Sequence, residues 1–146
     1  MFSLQQILIL VHVFAMLSWL GAMYFNLVLL FPMYQSRSGN GYAEMMQAQG
    51  TRAAPLLYAL IVLTLSSGLG LAWQSGFDAS HALMQWKFAC LILMLTCHLY
   101  GSLVIWPRVF FALDREKQQL FFTYKISMLI SATAGTIAVI LTYLKI

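Results

Sequence analysis

The sequence predicts an all-α integral membrane protein, a four-helix bundle of up-down-up-down topology forming one domain over residues 1–146. Three observations lead there. The chain is 62% hydrophobic and only 8% charged, where a soluble domain carries about a quarter charged residues. It contains four apolar runs, each long enough to cross a hydrocarbon core of about 30 Å at about 1.5 Å per residue. No run alternates with period two, and a barrel strand would be far shorter.

The first run covers about 4–31 and is expected to stop at Pro32. Its opening, MFSLQQ, has no basic side chain and the apolar run outlasts a signal-peptide core, so it reads as a retained helix. The second covers about 53–73, the third about 83–106 with a stop at Pro107, and the fourth about 121–144. Short connections between successive helices favour antiparallel neighbours. Residues 42–49, YAEMMQAQ, are expected to form a short surface helix after a flexible QSRSGNG turn.

Charge sets the expected orientation. Arg37 and Arg52 lie in the first loop, Arg108, Arg115 and Lys117 in the third, with Lys125 just beyond, and the second connection has Asp78 but no Lys or Arg. The positive-inside rule places the first and third loops in the cytoplasm, so both termini face the periplasm across an inner (cytoplasmic) membrane. The net charge of +4 follows this topology and is not a nucleic-acid footprint. Trp73, Trp86, Trp106, Tyr34 and Tyr143 fall near the span ends, as an interfacial aromatic belt would.

No glycine-rich nucleotide loop and no Ser-His-Asp set is present. Gly68 and Gly70 fall mid-membrane. Ser66 with Gly70, and Ser127 with Ser131 and Gly135, repeat at a spacing of four, which lets helices approach closely. Cys90 and Cys97 are the only cysteines. One helix separates them by about 10 Å of rise, too far for a disulfide.

Polar side chains within the spans are the candidates for function, because hydrocarbon makes them costly. The first span carries His12 on a stripe continuing through Ala15, Trp19, Met23 and Asn26. The third, WKFACLILMLTCHLYG, carries Lys87 and His98 eleven residues apart on one face. Depth can be counted from the prolines. His12 lies twenty residues before Pro32 and Lys87 twenty before Pro107, so in parallel helices they share a level. His98 lies about 16 Å deeper than His12, which rules out a simple axial pair and sets His98 level with Tyr24 and Asn26. A neutral histidine ligates haem iron well. Lys87 can anchor a haem propionate or, if deprotonated by burial, ligate iron. His81, in the second loop, reads as solvated.

His12, Lys87 and His98 are therefore the candidate metal ligands. His12, Trp19, Lys87 and His98 are the candidate haem b site, with Trp19 against the macrocycle. His98, Tyr24 and Asn26 are the candidate catalytic or proton-path group. Copper is the alternative cofactor, since Cys90, Met94 and Cys97 lie on one side of the third helix and suit Cu(I).

HVFAMLSWLG (12–21) followed by KFACLILMLTCHLYG (87–101) resembles the HemJ-type protoporphyrinogen oxidase family of small four-helix membrane proteins. The matching residues are His12, Trp19, Lys87, His98, Tyr100 and Gly101. The resemblance implies a b-type haem in the bundle and oxidation of protoporphyrinogen IX, with electrons passed on to the membrane. Where the family has an arginine late in its first helix this chain has Val28, and its last helix opens on TYKIS. These departures bear on substrate handling more than on haem. The first helix also resembles CopD-type copper-resistance proteins. The expected partners are the lipid bilayer, a porphyrin substrate, and a quinone or respiratory complex, with a homo-oligomer left open. An alternative role is a small accessory subunit of a larger membrane complex, docked through the Ser127–Ser131–Gly135 ridge.

Overall fold

The computed structural model describes residues 3–35, 47, 49–74 and 82–143. Four helices long and apolar enough to cross a membrane account for almost all of them: α1 (Leu4–Met33), α2 (Gln49–Gln74), α3 (Ala82–Phe111) and α4 (Asp114–Tyr143). The described residues contain no strand. Of the expected surface helix at 42–49, residues 42–46 and 48 lie outside the described residues, as do His81, Asp78, Arg37 and the side chains of Tyr34 and Tyr143, while Gln47 is helical and Gln49 opens α2.

Packing follows chain order. α1 packs along α2 and α3 along α4, and the two hairpins meet mainly where α1 touches α4. α2 and α3 touch only sparsely. The side-chain distribution is that of a protein solvated by lipid. Phe14, Leu10, Val62, Leu69, Ile92 and Phe122 are exposed, whereas Asn26, Thr64, Ser67, His98, Ser127 and Ser131 are buried. Acyl chains are as apolar as leucine, so helices gain little by hiding leucine and more by pairing polar groups across their seams. Ser127 Oγ donates to the Cys97 carbonyl at 2.6 Å and Ser131 Oγ to the Met94 carbonyl at 2.7 Å. An alanine Cβ at Gly135 would lie 2.8 Å from Met94 Sδ. The Ser127–Ser131–Gly135 ridge is thus the internal seam between α3 and α4, not an outward surface.

Helix ends differ from expectation at the prolines. Neither Pro32 nor Pro107 stops its helix. Each of the chain's three prolines follows a π-helical turn: Asn26–Leu30 before Pro32, Gln49–Ala53 before Pro55, and Tyr100–Ile105 before Pro107. A proline lacks the N–H for the usual bond and its ring crowds the carbonyl four residues back. Widening the preceding turn relieves that crowding. The residue before two of the prolines reaches five back, with Phe31 N–H bonded to Asn26 O and Trp106 N–H to Gly101 O.

α4 begins at Asp114, seven residues before the apolar run. DREKQQ is too polar to read as a span but contains good helix formers. Its start is fixed by reciprocal bonds, since Glu116 N–H donates to Leu113 O at 2.8 Å and Leu113 N–H to Glu116 Oε2 at 3.4 Å. At the other end of the chain, Ser3 and Gln6 close a capping box on α1.

Candidate functional site

Two cavities enter the bundle from opposite ends, and a packed layer separates them. The order of residues along each helix shows this. On α1, Met16 lines the first cavity and the next inward residue of that stripe, Trp19, is fully buried. On α3, Leu91 lines the first cavity, Met94 is fully buried and His98 lines the second. On α2, Thr64 lines the first, Ile61 is buried and Tyr58 lines the second. On α4 the same order runs Val139, then Ser131 and Met128, then Tyr124.

The first cavity holds about 190 Å³ and draws on all four helices, with His12 and Lys87 both in its lining. The depth count from the prolines had put these two side chains at one level. His12 is held from α2. Its Nδ1 lies 3.0 Å from the Thr64 carbonyl oxygen and 3.1 Å from Ser67 Oγ. A carbonyl only accepts, so Nδ1 carries the hydrogen of the neutral ring and Nε2 keeps a lone pair. Among the described residues Nε2 has no hydrogen-bond partner. A metal-binding histidine usually turns its other ring N–H to a carbonyl or carboxylate, which fixes the tautomer and the ring's orientation. Gly68 makes room for it, because a Cβ there would lie 2.9 Å from His12 Cε1.

The donor set therefore fits a haem iron. The enclosed space falls below the roughly 300 Å³ at which cofactor pockets usually begin. Val13 and Leu17, which line it, are also exposed on the outer surface, so the cavity is open on that side and a macrocycle would be only partly enclosed.

The second cavity holds about 300 Å³. Its innermost polar group is His98, 3% exposed. Trp19 Nε1–H donates to His98 Nδ1 over a long 3.4 Å, and the rings meet edge to face at 5.5 Å. An indole N–H only donates, so His98 Nδ1 is the acceptor and Nε2 carries the hydrogen. In this geometry His98 offers a donor and not a lone pair, which is the wrong tautomer for a ligand to iron.

Two further expectations change. Trp19 does not line the His12 cavity; it packs on His98. Tyr24 and Asn26, set level with His98 by the count, engage elsewhere: Tyr24 OH bonds Thr136 Oγ1 at 2.6 Å and Asn26 Oδ1 accepts from Gln49 Nε2. The soft ligands are dispersed as well. Met94 fills the core against Gly135, and Cys90 and Cys97 are half-buried free thiols. Among the described residues no three His, Cys, Asp or Glu side chains converge. Trp73 and Trp86 are 88% and 65% exposed at the ends of α2 and α3, as belt residues would be, but Trp106 turns into the second cavity.

The partners of His12 were not singled out from sequence. The spacing-of-four signal pointed to Ser66 and Gly70, whereas the face that meets His12 is Thr64, Ser67 and Gly68. Tyr58 and Ser102, bonded across the second cavity at 3.2 Å, gave no sequence signal beyond being polar within a span. No protein-family model, no curated protein and no solved structure matches this chain, so the functional reading rests on this geometry and on the residue pattern.

Proposed function

We propose that this chain is a membrane oxidoreductase that carries a b-type haem at the His12 cavity and, as the HemJ-type pattern suggests, oxidises protoporphyrinogen IX. One observation carries the reading. The Thr64 carbonyl holds His12 as the Nδ1–H tautomer, leaving an unshared Nε2 lone pair on a cavity that Lys87 also lines.

Bound haem supplies one-electron redox chemistry. The chain's own residues do the rest. His12 would hold the haem iron through Nε2, and the Thr64 carbonyl orients its ring and raises its basicity. Lys87, half-buried at the rim, would pair with a propionate or supply a second nitrogen to the iron. The layer of Trp19, Ile61, Met94 and Met128 keeps water from passing between the cavities. His98 holds a proton at Nε2 on the far side of that layer.

The same reading places the chain in a bacterial-type inner membrane with both termini periplasmic. Arg52, Arg108, Arg115, Lys117 and Lys125 gather at the His98 end, and such clusters stay cytoplasmic.

The test is the absorption spectrum of protein purified from haem-replete cells, oxidised and reduced. A b-type spectrum is expected, lost at least tenfold in His12→Ala while the thermal melt and gel-filtration profile persist. A colourless wild-type preparation overturns the reading. Haem kept by His12→Ala moves the ligand elsewhere.

A further inference from the structure

The second cavity has a buried donor with nothing to donate to. His98 Nε2–H, fixed as the donor by Trp19, has no partner among the described residues, and His98 is 3% exposed. A buried donor left unpaired is costly, so a cavity lined by one is suited to a ligand bearing an acceptor. A second N–H borders the same space. Trp106 Nε1 has no hydrogen-bond acceptor among the described residues, and Gly50 opposes it so closely that a Cβ there would lie 2.8 Å away.

The walls between these donors are aromatic: Tyr58, Phe110, Tyr124 and the Trp106 indole itself. Access is lateral. α2 and α3 form much of the lining yet touch each other only sparsely, and Phe110 is exposed on the outer surface. A ligand can therefore enter from the bilayer between these helices. The space of about 300 Å³ suits a one- or two-ring headgroup.

We propose that the His98 cavity is a binding site for a quinone headgroup, held by N–H donors from His98 and Trp106 to its carbonyl oxygens and stacked among the flanking rings. Its isoprenoid tail leaves between α2 and α3 into lipid. A flat ring with acceptors at opposite ends and an apolar tail matches two N–H donors, aromatic walls and a lateral opening. The site stands independently of haem at His12.

The full chain in lipid nanodiscs is titrated calorimetrically with a short-tailed ubiquinone, with empty nanodiscs as the control for partitioning. Saturable binding near one per chain is expected. Gly50→Val, which closes the space beside Trp106, should weaken it at least tenfold. Trp106→Phe, which keeps an aromatic wall but removes the donor, should weaken it severalfold. Thermal melts establish that both variants fold, and the pair keeps the test decisive if one of them does not. His12→Ala should bind quinone like the wild type even where haem is lost, which separates this site from the haem reading. Uptake no greater than in empty nanodiscs, affinity unchanged in the folded variants, or equal competition by oleate overturns the proposal.

Discussion

At His12 the neighbour is a carbonyl and at His98 it is an indole N–H, and this difference divides the bundle. Both rings sit inside spans, and neither has a carboxylate within ion-pairing reach among the described residues. The acceptor turns His12 into a donor at Nδ1 and frees a lone pair at Nε2. The donor does the reverse at His98 and leaves an N–H. One residue type thus lines two cavities with opposite chemistry, one suited to a metal and the other to an acceptor oxygen. A histidine's role in a membrane bundle is set by the group across the seam as much as by its depth.

The largest expected effect tests the His12 half. Gly68→Val places bulk where a Cβ already comes within 2.9 Å of the imidazole, so haem occupancy should fall at least tenfold while quinone binding at His98 persists. Parallel loss at both sites would mean the cavities are not independent. Next comes the layer between them. Trp19 is fully buried, and Trp19→Phe removes both packing volume and the bond to His98. It should lower stability by about 1–3 kcal/mol, measured by thermal unfolding in detergent. An unchanged melt would show that the layer is not tightly packed.

The α3–α4 seam comes third. Ser131 donates across it at 2.7 Å, and bonds of this kind in membrane bundles average about 0.6 kcal/mol, with a maximum of about 1.7. Ser131→Ala should therefore cost near that average, read from the same melts, with both ligands retained. The smallest effect belongs to Ser67→Ala. It removes one of two contacts at His12 Nδ1 but leaves the Thr64 carbonyl in place, so haem should be retained and its reduction potential little moved. Loss of haem here would show that the serine, and not the carbonyl, fixes the ring.

Span number and type were legible because crossing hydrocarbon demands about twenty apolar residues in a row, and nothing else in the chain imitates that. Span ends were not legible. A π-helical turn lets α1 and α3 run past their prolines, and the polar start of α4 is helical without being apolar. The site was legible in part. Counting back from Pro32 and Pro107 set His12 beside Lys87, because two parallel helices of equal rise keep equal counts at equal depth. The same arithmetic set His98 beside Tyr24 and Asn26, but their side chains turn to Thr136 and Gln49 instead.

On α2, likewise, the spacing of four picked out Ser66 and Gly70 and not the residues that meet His12, and both failures have one geometric cause. Neighbouring residues on a helix point about 100° apart, so a rotation of one position exchanges the pair Ser66 and Gly70 for the face of Thr64, Ser67 and Gly68. Spacing within a sequence is the same for both. By itself the sequence determined what must cross the membrane, how many times, and which costly side chains went with it, since those follow from transfer energies along a single chain. The tertiary structure decided which way each helix turned, and so gave His12 a carbonyl and His98 an indole. That choice is made by contacts between helices far apart in sequence, and no local pattern encodes it.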